Sequence, residues 1–165
     1  MKMKKNEPPN FNHVLTYLSF ELNNEIFAVN VENVINILEM KKITSIPKSP
    51  EYFKGIINLR GKALPVVDLR IIFGINNLKF TNDTCILVLQ IKVEGEEILL
   101  GAIVDCVKEV LELEQNYIEP VPSIGTKYHP DFINGIWKMD ERFIMLLDLD
   151  NVINPKDILI VQNAS

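Results

Sequence analysis

One pattern written twice constrains this chain more than any other feature of its 165 residues. A shift of eighty positions lays Pro50 on Pro130, Gly55 on Gly135, Ile56 on Ile136, Asp68 on Asp148 and Leu69 on Leu149, with apolar residues over apolar ones between them. Upstream, Val31-Glu32-Asn33-Val34 matches Val104-Asp105-Cys106-Val107 at a shift of 73, and Ile46-Pro47 matches Val121-Pro122 at a shift of 75. The offset grows only where a connector lengthens, so the chain must fold as two similar units.

Each unit reads as short β-runs broken by turn residues. In the first, residues 14–22 and 25–29 flank Asn23-Asn24, a pair that tolerates left-handed backbone and predicts a hairpin. Val31, Val34, Ile35 and Leu38 follow helical spacing but are mostly β-branched. The reading favoured here is a short helical turn over 31–33 leading into a strand over 34–39. Between Pro47 and Gly55, Ser49 can cap, Pro50 can take a first helical position and Gly55 can close a single turn. Residues 56–59 and 63–69 form the next hairpin around an Arg60-Gly61-Lys62 tip, and 69–73 predicts a short helix closed by Gly74. The second unit repeats the plan with strands over 85–93, 97–104 and 107–113 and a turn at Glu94-Gly95-Glu96. The class is therefore all-β, most simply two small barrels, since closing each sheet removes edges that invite aggregation. Residues 1–12 are expected to be a disordered lead-in, 13–82 the first barrel subdomain and 83–155 the second, with strand exchange between them left open. Residues 156–165 form a tail in which Ile158 to Val161 either add a strand or pack as a helical turn.

Charge and composition exclude several functions. Seventeen Lys plus Arg against 22 Asp plus Glu give a net charge of −5, which repels a phosphate backbone and argues against nucleic acid. The N-terminal lysines lead into polar residues and prolines instead of the apolar run of a signal peptide, and no apolar run is long enough to span a bilayer. The expectation is a protein that is neither exported nor inserted in a membrane. Cys85 and Cys106 sit in apolar runs and are expected to be free. The two histidines, His13 and His129, lie in no ligand-spaced cluster, the seven glycines form no phosphate-cradling loop, and Ser19, Ser45, Ser49 and Ser123 lack a nucleophile-elbow context. No metal, cofactor or catalytic group can be argued, and what remains is surfaces that bind partners.

The repeat also sorts residues, because what both copies share is demanded by the fold. Asp68 and Asp148 end equivalent strands and read as helix caps; Trp137 stands where the other copy has Ile57 and reads as core. The hairpin tips differ, with Asn58-Leu59-Arg60-Gly61-Lys62 in one copy and Lys138-Met139-Asp140-Glu141-Arg142 in the other. Arg60 is thus not required by the barrel. It is either a solvated surface residue or a charge-assisted contact for a partner's carboxylate or carbonyl.

Leu18-Ser-Phe-Glu-Leu22, the 31–38 run, Ile46-Pro-Lys-Ser-Pro50 and above all Lys54-Gly-Ile-Ile-Asn-Leu-Arg-Gly61 followed by Pro65-Val-Val-Asp-Leu-Arg70 resemble the CheW family of bacterial chemotaxis coupling proteins, from Val14 to Ile153. The resemblance implies two SH3-like five-stranded barrels with a few short helices. It implies a non-enzymatic, cytoplasmic adaptor, recruited to receptor arrays at the inner face of the membrane. Its partners would be chemoreceptor cytoplasmic tips and the regulatory domain of the histidine kinase CheA. A coupling protein of a non-chemotaxis chemosensory array, serving surface motility or gene expression, is the alternative. By the same resemblance Arg60, Gly55, Val34 and Asn58 would bind the receptor, and Leu18, Val31, Val34 and Ile37 the kinase; the competing reading of the latter four is plain core. Where relatives often carry an acidic residue that would pair with the arginine, this chain has Asn36.

Overall fold

The computed structural model describes residues 13–122 and 130–153; the expected lead-in, the tail, Ser123 and His129 lie outside them. Ten strands run in order: β1 (Val14–Leu22), β2 (Glu25–Asn30), β3 (Val34–Glu39), β4 (Phe53–Leu59), β5 (Lys62–Asp68), β6 (Cys85–Val93), β7 (Glu96–Val104), β8 (Cys106–Glu114), β9 (Ile133–Met139) and β10 (Arg142–Leu147). Helix α1 (Leu69–Ile72) follows β5 and α2 (Leu149–Val152) follows β10. Asn23 and Asn24 (φ 52° and 68°), Arg60 and Gly61 (53° and 84°), and Glu94 and Gly95 (52° and 83°) all have positive φ. That geometry makes two-residue turns whose twist matches the strands they join, so Lys62 and Glu96 belong to strands and not to tips.

The first sheet has the order β8-β1-β2-β10-β9 and the second β3-β6-β7-β5-β4. Replacing each strand by its repeat mate, β1 by β6, β2 by β7 and so on, turns one order into the other. The first two strands of each copy therefore complete a sheet with the last three of the other copy, and both halves of the chain contribute to both sheets. The seams of this exchange are the parallel pairs β2–β10 and β7–β5 and the antiparallel pairs β1–β8 and β6–β3. The chain crosses between sheets at a 3₁₀ turn over Val31–Asn33 in one copy and at Asp105 in the other, within the two quadruplets that matched in sequence.

Each sheet is closed by the segment that follows its exchanged edge strand. Thr44 pairs with Ile56 through hydrogen bonds of 2.9 and 2.9 Å, and Glu119 pairs with Ile136 through bonds of 2.9 and 2.8 Å. At both closures the neighbouring segment crowds the glycine, and at Gly55 it leaves no room for a side chain. A Cβ on Gly55 (φ +138°) would lie 2.1 Å from the Thr44 carbonyl oxygen; one on Gly135 would meet Ile118 Cγ2 at 2.7 Å and the Glu119 oxygen at 3.0 Å. Gly55 therefore sits inside β4, beside a bulge between Phe53 and Gly55, and does not close a helical turn. The expected turn at Pro50 is a single hydrogen-bonded bend, Phe53 N–H to Pro50 C=O at 3.0 Å, and Ser49 donates to the Ile46 carbonyl instead of capping. Pairing of Phe53 with Val67 starts the strand too early for a helix to form there.

Three apolar clusters result. Ile57, Leu64, Val66, Ile86, Val88 and Ile103 fill the second sheet, while Ile26, Ala28, Leu113, Ile144 and Leu146 fill the first. The largest cluster joins the two sheets, with Phe20 and Phe27 from one and Leu87 and Leu89 from the other. Phe73, at the end of α1, stacks on Phe27 at 5.1 Å and meets Phe132 edge-on at 5.5 Å. Strands buried on both faces explain why β6 and β7 read as nearly continuous apolar runs.

Asp68 and Asp148 accept hydrogen bonds from the Arg70 and Asp150 amides, the capping role their equivalence predicts. Asp68 does more. Its carboxylate binds Arg70 Nε and Nη2, both at 2.9 Å, and Arg70 Nη1 donates to the Lys79 carbonyl (3.0 Å) and reaches Asp105 (3.3 Å). The guanidinium is fully buried under the Phe80 ring, whose centroid lies 5.2 Å away. Burial alone pushes Arg70 down, but the bonds and charge of Asp68, joined by Asp105, outweigh it and raise the guanidinium above its ordinary value. One arginine thus fastens α1, the connector between the two copies and the β7–β8 crossing.

Two outcomes are expected in urea unfolding followed by circular dichroism. Gly55→Ala should cost at least about 3 kcal/mol, since it adds a backbone clash to a strained φ, whereas Gly135→Ala, opposed first by a side-chain methyl, should cost about 1 kcal/mol. Arg70→Ala should cost about 3–5 kcal/mol by leaving Asp68 buried without its partner; a loss under 1 kcal/mol would show that the buried pair contributes nothing.

Candidate functional site

The β4–β5 tip is held rigidly by one side chain. Asn58 Oδ1 accepts the Gly61 amide at 2.7 Å, and its backbone carbonyl accepts Lys41 Nζ at 3.0 Å. Between these anchors Arg60 is exposed, and among the described residues it has no hydrogen-bond or ion-pair partner. Asn36 spends its carboxamide oxygen on the Ile37 amide at 2.8 Å. Beside the tip lies a shallow depression of about 280 Å³, floored by Thr44, Ile56 and Ile57 and rimmed by Asn58, Gly61 and Lys62. A free guanidinium on a fixed turn over a half-apolar hollow can accept a carboxylate or carbonyl from another molecule with little reorganisation.

The other sequence-predicted residues separate by depth. Gly55 is buried at the closure of the second sheet, below the tip. Leu18 is 5% exposed and belongs to the core between the sheets, and Val31 and Val34 pack half-buried against that core. Ile37 lies 45% exposed on β3, an edge strand of the second sheet. The fold brings Leu18, Val31 and Val34 to one cluster, places Ile37 on the open side of the strand that Val34 begins, and leaves Arg60 and Asn58 on a separate tip.

Sequence reasoning missed two contributors. Ile35, 49% exposed, shares β3 with Ile37 and doubles its apolar surface. Alternation along β3 puts it on the same open side as Ile37, but helical spacing groups it with Val31, Val34 and Leu38, as though it faced a core. Lys41 was missed because its contact spans 17 positions, although a lysine just after an edge strand is a signal worth testing. Trp137, where the other copy has Ile57, is half-buried against the interior of the first sheet and meets Tyr117 edge-to-face at 6.4 Å. Among the described residues no group of His, Cys, Asp and Glu is placed to hold a metal, and no helix is long and apolar enough to cross a membrane.

Comparison with known proteins accounts for this arrangement. The family model described as the CheW-like domain matches residues 16–156. The chemotaxis protein CheW of Klebsiella aerogenes is 28% identical over 149 residues, covering 90% of this chain and 87% of that protein. The chemotaxis protein CheW of Thermotoga maritima is 33% identical over 136 residues, covering 82% and 85%. The crystal structure of the scaffolding protein TtCheW from Thermoanaerobacter tengcongensis superposes with a TM-score of 0.77 at 34% identity, over 89% of this chain and 99% of that one. Proteins of this family are scaffolds and adaptors, not enzymes. With exchanged five-stranded barrels, a fixed arginine tip and a match across nearly its whole described length, the chain belongs to the CheW-like family.

Proposed function

We propose that this protein is a cytoplasmic coupling adaptor that joins the cytoplasmic tips of chemoreceptors to the regulatory domain of the histidine kinase CheA and so regulates the kinase within receptor arrays. Family membership supports the assignment to chemotaxis signalling, and the observation that carries the receptor half is Arg60, exposed and unpaired on a tip locked by Asn58. In this reading Arg60 grips an acidic or carbonyl group of the receptor tip. Asn58 presents it and Gly55 lets the closing segment pass beneath; Val34, expected to share this contact, stands apart in the cluster of Leu18 and Val31. The kinase half rests on β3. Ile37 and Ile35 offer apolar surface on an edge strand, while Leu18, Val31 and Val34 shape that surface from behind.

Assembly is the mechanism, not chemistry. Holding receptor and kinase on one rigid sheet raises the effective concentration of each for the other. If one partner's binding biases the shape the other prefers, the coupling is reciprocal. Arg60→Asp is expected to weaken binding of a purified receptor tip at least tenfold in calorimetric titration while leaving affinity for the CheA regulatory domain within twofold, and Ile37→Asp to do the reverse. Circular dichroism and melting temperature establish that both variants stay folded. Because Arg60 is solvent-facing, receptor affinity of the parent protein should also fall as salt rises. Unchanged receptor binding by folded Arg60→Asp would overturn the assignment of the tip.

A further inference from the structure

The two cysteines stand together where the chain leaves one sheet for the other. Cys85 opens β6 and pairs with Val104, the last residue of β7. Cys106 opens β8 just beyond the Asp105 crossing and pairs with Glu21 of β1. The backbone N–H of Val107, the residue after Cys106, lies towards the Cys85 sulfur and favours its thiolate, which brings that sulfur near the backbone carrying Cys106. Both thiols are free and neither is fully buried. Cys106 also lines a polar pocket of about 250 Å³ with Glu21, Asn24, Asp83, Thr84 and Asp105, and its thiol donates to Glu21 Oε1 at 3.6 Å. The repeat does not demand this pair: Val14 opens β1 and Asn33 occupies the other crossing at the equivalent places.

We propose that Cys85 and Cys106 are a modification site, in which a peroxide small enough to enter the pocket oxidises them to a disulfide that staples the second sheet, through β6, to the first, through β8. In the first step the Cys106 thiolate attacks one peroxide oxygen, the O–O bond breaks and hydroxide leaves, taking up the proton the thiol released to become water, and Cys106 is left as a sulfenic acid. In the second the Cys85 thiolate attacks the sulfenic sulfur, the S–S bond forms, the S–O bond breaks and the departing hydroxide takes up the Cys85 proton. The two thiols together lose two protons and two electrons, and the peroxide becomes two waters. The charged groups around Cys106 are Glu21 from β1, Lys108 from β8, Asp105 at the crossing, and Lys79 and Asp83 from the connector; Asp83 also faces Cys85. Burial pushes both thiols up. Proximity to Cys106 adds to this at Cys85, and the Glu21 carboxylate adds to it at Cys106, where Lys108 partly offsets it. The thiolate fraction is therefore small near neutral pH, and linkage should accelerate as pH rises from 7 to 9.

The test treats the full chain with dilute hydrogen peroxide and reads intact mass, a peptide map and the melting temperature. The expected result is a monomer lighter by about 2 Da, a reducible Cys85–Cys106 peptide and a melting temperature raised by roughly 5 °C or more. Cys85→Ser should show no link, no rise, and oxygen adducts on Cys106 instead. Oxygen adducts on the parent's cysteines without a link, a link to a second chain, or two thiols that still titrate in full after treatment would each overturn the proposal.

Discussion

The apolar contact between the two sheets is the constraint on which the rest of this structure depends. Central strands such as β2 and β6 have no face to spare. Each sheet fills its own interior with one set of side chains and gives the opposite set to the shared core, where Phe20, Phe27 and Phe73 meet Leu87 and Leu89. At about 25 cal/mol for each Å² removed from water, such burial is the dominant favourable contribution to folding. It also fixes geometry, because β3 and the β4–β5 tip belong to one sheet whose position is set by the packing of the other.

Much of this order was legible along the chain, because its signals are local. Asn23-Asn24, Arg60-Gly61 and Glu94-Gly95 mark turns by their tolerance of positive φ, and the bounds of β1, β3 and β6 follow from where those turns and the apolar runs stop. Pairing was a different matter. A duplicated pattern fits two barrels equally well whether each copy closes on itself or trades strands, since the same side chains face the same kinds of neighbour in either arrangement. Gly55 misled for a related reason: after Pro50 it looks like the end of a turn, whereas the atom that forbids a side chain there is the carbonyl of Thr44, eleven residues away.

The candidate site shows the same division. Arg60 was visible because a tip that differs between copies is free of the barrel's demands. Leu18 and Ile37 were indistinguishable, since both are apolar residues on strands, and only the positions of β1 inside its sheet and β3 at an edge separate 5% from 45% exposure. Arg70 escaped notice despite lying in the most recognisable motif. Asp68 stands only two positions away but reads fully as a helix cap, and the contacts that complete the clamp, Lys79 and Asp105, lie 9 and 35 positions off. The two copies thus share their closures and caps but not this clamp, since Asp150 replaces the arginine.

The trading of strands has an implication for a single copy standing alone. A solitary copy of the repeat would own two strands of one sheet and three of another, and could finish neither. In the arrangement seen here, such a copy would complete its sheets only by lending its first hairpin to a second copy and receiving one in return. Joined in one chain, the two later hairpin tips are free to differ, one carrying Arg60 and the other Asp140 and Glu141.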